Sequence, residues 1–188
     1  MSNYKFDYQV GDLLFFKDGD DFIEKEIEKE TGMYHHVAMV LLKPKHDQED
    51  RIIIESQAGR GVHLDFLSEY TKKEFAHFDV KRKKKQLTIS QKIELYNNSK
   101  AINNQGYDYS GAGNQSKYMI VRFFSKIIGK VIGKEKKRKY CNRVIGYLYD
   151  KIGEKVGNNS TPTELAMFNE FEKVFDSEVW HGLRKYFL

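Results

Sequence analysis

Three side chains, far apart in the sequence, have the types that acyl transfer by a thiol requires. Cys141 is the only cysteine in 188 residues. It stands between a basic stretch, Gly133 to Tyr140, and an apolar series at helical spacing, Val144, Ile145, Leu148 and Ile152. That places a thiol in the first turn of a predicted helix and in positive surroundings, both of which favour the nucleophilic thiolate. A second histidine of a pair, His36, directly precedes the apolar run Val37 to Val40, and Glu55 closes the run Ile52 to Ile54. A nucleophile, a base and a group to orient the base are the parts of a cysteine acyl-transfer site.

Pairing of the two runs would bring base and orienter together. If residues 36–42 and 51–55 form an antiparallel hairpin, simple register sets His36 opposite Glu55, at roughly 5 Å between backbones. The predicted helix would then point the sulfur at the imidazole. Each residue also has a structural reading: Cys141 as a core thiol, His36 as a strand-end histidine, Glu55 as a surface carboxylate paired with Arg60. His35 is an alternative base, although its side chain should face the other side of the sheet. His46 falls in a polar loop, and His63 and His77 read as surface or half-buried strand residues. Adjacent histidines with no second cysteine give no zinc-ligand spacing, so neither metal nor cofactor is expected.

The elements that must carry these residues fall into two halves. Gly11-Asp12 opens a strand at Leu13 to Phe16, and Asp20 to Glu30 has a short amphipathic helix with Phe22, Ile23 and Ile27 on one face. Strands follow at 36–42, 51–55, 62–66 and 75–80, with a helical turn near Leu67. Thr88 caps a helix running to about Asn103. Met119 to Ile128 reads as a packed helix, Thr161-Pro162 as a helix start, and 171–175 as a late strand. Strands first and helices later argue for an α+β fold.

Length suits one domain over residues 1–188. A net charge of +5 is concentrated in Lys81 to Lys85 and Lys134 to Lys139, runs able to hold an anionic ligand. Aromatics do not interleave with the first run as base stacking needs, which argues against nucleic acid. A single cysteine, no signal-peptide core and no apolar stretch near the ~18 residues of a membrane span predict a cytoplasmic protein.

In order, the motifs resemble the circularly permuted papain-like amidases of the NlpC superfamily, YiiX/YycO-like branch. The matching pieces are Gly11 to Phe15, Thr31 to Val40, Ile54 to Val62, Tyr107 to Tyr109, Lys139 to Cys141 and Thr161 to Leu165. Histidine before glutamate before cysteine reverses the usual papain order. The resemblance implies an antiparallel sheet packed against helices, with His36 as base, Glu55 as third member and Cys141 as nucleophile. It implies hydrolysis of an amide in a small or cell-wall-type peptide. Related branches similar to lecithin retinol acyltransferase act on acyl esters or thioesters instead, and a non-catalytic basic binding module on the same fold is a third reading. Asn142-Arg143 replaces the family's small polar residue and glutamate after the cysteine, a change expected to bear on substrate preference. Tyr8 is a candidate oxyanion donor.

Overall fold

The computed structural model describes residues 6–17, 32–42, 50–57, 60–71, 77–105, 141–156 and 160–177. The predicted helix within 20–30, His46, Tyr107 to Tyr109, the Met119 to Ile128 segment and the second basic run lie outside them.

Six strands form one antiparallel sheet: β1 (Leu13–Phe16), β2 (His36–Leu42), β3 (Ile52–Gln57), β4 (Gly61–Phe66), β5 (Phe78–Lys83) and β6 (Phe171–Asp176), in the order β4-β3-β2-β1-β5-β6. Among the described residues four helices accompany it, α1 (Ser68–Thr71), α2 (Ile89–Ile102), α3 (Cys141–Lys151) and α4 (Pro162–Ala166). None of the described helices is long and apolar enough to cross a membrane.

β1 and β2 are apolar on both sides and sit at the centre of the sheet, so each face needs cover. On one face Leu13, Phe15, Val37, Met39 and Ile54 join Val144, Ile145, Leu148 and Tyr149 of α3. On the other, Leu14, Phe16, Ala38, Val40, Ile53, Phe78 and Val80 pack with Leu67. The helical spacing of Val144, Ile145 and Leu148 is what presents one unbroken apolar face of α3 to β2 and β3. Tyr149 completes the anchor: its buried hydroxyl donates to the carbonyl of Gly11 at 2.9 Å.

β5 extends three residues past its expected end and takes in Lys81, Arg82 and Lys83. Charged residues continue a strand when partners receive them. Arg82 holds both oxygens of buried Asp12 at 2.8 Å, Lys83 reaches Glu154 at 3.2 Å, and Lys81 donates to the carbonyl of Ala166. Thr88 and Thr161 each cap a helix through a reciprocal box, with Gln91 and Glu164.

Gly11 joins the sheet to the helical layer. Its φ of 91° is a left-handed conformation, and a Cβ there would sit 2.6 Å from Leu87 Cδ1. Gly11→Ala should therefore destabilise the fold by about 2 kcal/mol, the backbone cost plus displacement of Leu87, read as a lower urea midpoint at unchanged slope.

Candidate active site

The site begins with how the histidine is delivered. Gly32, at φ 93°, turns the chain against Thr163 of α4, and the Tyr34 amide donates to Thr163 Oγ1 at 3.1 Å. The His35 amide then bonds the Phe16 carbonyl, and β2 pairs with β1 from His36 onward. The Thr161-Pro162 helix start thus serves the site by holding the loop that feeds His36 into the sheet. The imidazole lies 5.5 Å from the Phe16 ring and 6.5 Å from that of His35, centre to centre.

Glu55 meets His36 across β2 and β3, but not in the expected register. The observed pairs are Met39 with Ile54 and Val40 with Ile53, with an irregularity before Leu42–Ile52. Continued, this register sets Glu55 beside Ala38, two residues from His36. The apolar Met39–Ile54 pairing moves the register, and a shift of two residues keeps every side chain on its own face. His36 and Glu55 therefore still meet diagonally: Nε2 and Oε2 are 2.6 Å apart. Glu55 is 0% exposed, and Arg60 pairs with Asp65 at 3.0 Å, so Glu55 is not the surface partner of Arg60.

Cys141 opens α3 and is 7% exposed. Its side chain lies within interaction range of the His36 ring and is one of the groups that favour the charged imidazole. Sulfur, imidazole and carboxylate, from residues 141, 36 and 55, form one chain of contacts. Burial works against charge on His36. The hydrogen bonds to Cys141 and Glu55, and the charge of Glu55, outweigh it and raise the histidine from 6.5 to about 10. Burial likewise opposes ionisation of Glu55, yet His36, His63 and Tyr70 hold it far below the ordinary carboxylate range.

Two residues at this site had no role in the sequence reading. Tyr70 of α1 donates its hydroxyl to Glu55 Oε1. Asp50 holds α1 in place by accepting from the Ser68 amide at 3.0 Å and hydroxyl at 2.6 Å. His63, expected at the surface or half-buried, is buried on β4, and its Nε2 lies 2.8 Å from the same Oε1, off the axis of an aligned hydrogen bond. The alternation of Val62, His63, Leu64 held a signal for it: a histidine between apolar residues, eight positions after Glu55, is where a tight hairpin returns. Tyr8 packs its ring on Phe6 and Phe175, at 4.8 and 6.5 Å between centres, against the cluster that includes Phe16 and Leu67.

Glu55, His63 and Asp65 place three ligand-type atoms within 4.8 Å of one another. Both carboxylates already have donors, however: His36 and Tyr70 on Glu55, Arg60 on Asp65. A divalent cation would add charge beside the His36 and Arg60 cations, and these residues do not fit one.

An antiparallel sheet whose strands carry histidine and glutamate, followed in the chain by a helix that opens on cysteine, is a circularly permuted papain-like fold. Comparison with known families agrees: the family described as permuted papain-like amidase enzyme, YaeF/YiiX, C92 family, matches residues 7–181, and the chain belongs to it. Among solved structures, it is similar to one described as metalloprotein yiiX from Escherichia coli O157:H7, with a TM-score of 0.65 and 17% identity over 89% of this chain and 97% of that one. A comparison with curated proteins finds no match.

The two shifts have opposite consequences for stability. The contribution of His36 is fully present below its unfolded value near 6.5 and is lost as pH rises through about 10; that of Glu55 is present above about 4.5 and lost as pH falls. The difference in melting temperature between the wild type and His36→Gln should be largest near pH ~5–6 and shrink steadily toward pH ~10, measured by calorimetry.

Proposed function

We propose that the protein is a cysteine amidase or peptidase that hydrolyses an amide bond in a small or cell-wall-type peptide through an acyl-enzyme. One observation carries this reading: Cys141 and a buried, ionised Glu55 both bear on the single imidazole of His36, the carboxylate at 2.6 Å. Cys141 attacks the carbonyl carbon as a thiolate. His36, holding the proton, delivers it to the leaving amine and then takes one from the water that releases the acid. Glu55 keeps the ring in the orientation that faces the sulfur and stabilises its cationic form. The reading assigns the oxyanion to the helix start, where the Cys141 amide and the Asn142 side chain lie. Asn142 is 1% exposed, and its Nδ2 has no hydrogen-bond partner among the described residues; a buried, unmade donor is costly unless something else uses it.

Location in the cytoplasm and an anionic ligand at Lys81 to Lys85 or Lys134 to Lys139 accompany this reading as proposals. In the first run Lys81, Arg82 and Lys83 are engaged by Ala166, Asp12 and Glu154, and the more available cations are the exposed Lys84 and Lys85, the latter 4.0 Å from Glu154.

Turnover of a peptide amide library, read by mass spectrometry, tests the proposal. Cys141→Ala and His36→Ala should each lower the rate by ~10³ or more, the double variant adding little because the pair acts as a unit. Glu55→Gln should cost less, and Asn142→Leu about 10²-fold with substrate affinity nearly unchanged. Activity that survives Cys141→Ala would refute the mechanism. Cleavage of nitrophenyl acyl esters with no amide turned over would move the substrate to the acyl-ester class.

A further inference from the structure

Glu55 has two carboxylate oxygens, and the reaction uses one of them. Oε2 faces His36, while Oε1 meets Tyr70 and His63. His63 stands directly across the β3–β4 ladder from Glu55, so the sheet itself brings the two side chains together. Its other nitrogen, Nδ1, is 2.9 Å from the carbonyl oxygen of Gly61. A carbonyl oxygen only accepts, so Nδ1 carries a hydrogen.

That contact decides the state of the ring. With its hydrogen on Nδ1 alone, His63 would set an unprotonated Nε2 2.8 Å from an ionised carboxylate oxygen, though off the axis of an aligned hydrogen bond, with Asp65 Oδ2 at 3.9 Å adding a second negative charge. Lone pairs at that separation repel. A hydrogen on each nitrogen turns the repulsion into an ion pair, and Glu55 accordingly raises the histidine's pKa against the opposing effects of burial and, less, of the Arg60 charge. The groups facing the ring are thus Glu55, Asp65 and Arg60, with the Tyr70 phenol and the His36 ring on the far side of the shared carboxylate.

We propose that His63 is a positioning residue of the amidase reaction: from the neighbouring strand it fixes Oε1 of Glu55, so that Oε2 stays on His36 and the His36 ring stays on Cys141. The inference rests on the Cys141–His36–Glu55 reading and extends it by a second histidine. A glutamate side chain has three torsions, and one bond to a moving imidazole would leave it free to follow that ring. Held from β4 by His63 and from α1 by Tyr70, the carboxylate is a fixed reference. His63 also shares the carboxylate's charge, which moderates its hold on the His36 proton, and a general acid must be able to release that proton.

Two measurements test this without a known substrate. In ¹⁵N-histidine spectra of Cys141→Ala at pH 7, His63 should have both nitrogens protonated; a neutral His63 overturns the proposal. Iodoacetamide labels the single cysteine unambiguously, and its rate is followed against pH in the wild type, His63→Gln and His63→Ala. His63→Ala should slow alkylation at pH 7 by about tenfold or more. His63→Gln, which keeps a donor but no titratable charge, should recover most of that rate and shift the alkaline limb of the profile. Should His63→Ala not fold, His63→Gln alone reads the limb. Superimposable profiles at matched melting temperatures overturn the proposal, as does a stoichiometric Zn²⁺ carried by the wild type and lost in His63→Gln. Alkylation that ignores His36→Ala as well would instead sink the amidase reading itself.

Discussion

A carboxylate with no exposure to water cannot stay ionised alone. Glu55 is such a group, and its isolation would cost several kcal/mol. Around it the fold gathers partners from three elements: His36 at the start of β2, His63 on β4 and Tyr70 on α1. Each arrives because its element is fixed by something else. β4 is paired residue for residue with β3, α1 is held by Asp50, and the start of β2 is held by Phe16 on one side and by α4 through Thr163 on the other. The charge at the centre therefore depends on the sheet register, and the chemistry of His36 depends on the charge.

The two faces of the sheet divide the labour. One binds α3 through an apolar stripe and so fixes the height and direction of Cys141. The other carries Glu55, His63 and the aromatic rings of Phe16 and Tyr70. His36 stands at the strand end, where β2 enters the sheet, and there a ring can touch both the helix start and the carboxylate. This geometry also accounts for permutation. Bringing Cys141, His36 and Glu55 together needs a helix terminus beside the end of two neighbouring strands, and it places no requirement on whether helix or strands come first in the chain.

Several features were legible before any coordinates. The helical spacing after Cys141, the capping threonines at 88 and 161, and the apolar runs at 13–16, 37–40 and 52–54 each follow from local rules, and the structure has elements at all of them. The His36–Glu55 contact was legible for a subtler reason. The expected register was off by two residues, and since strand side chains alternate with a period of two, the error left both groups on the same face. The end of β5 was misjudged because a run of cations reads as surface; it is inside because Asp12, Glu154 and the Ala166 carbonyl receive it.

By itself the sequence determined which chemistry was available: one thiol at a helix start, a histidine and a carboxylate at the ends of strands, in an order that reverses the common papain arrangement. Local periodicity and capping are properties of neighbouring residues, and a chain displays them directly. Only the tertiary structure decided that Glu55 is shared by two histidines and a tyrosine, and that His63 is buried while Arg60 turns to Asp65. Those outcomes depend on strand register and on which face of each strand is covered, and both are set by packing between segments that the sequence lists far apart.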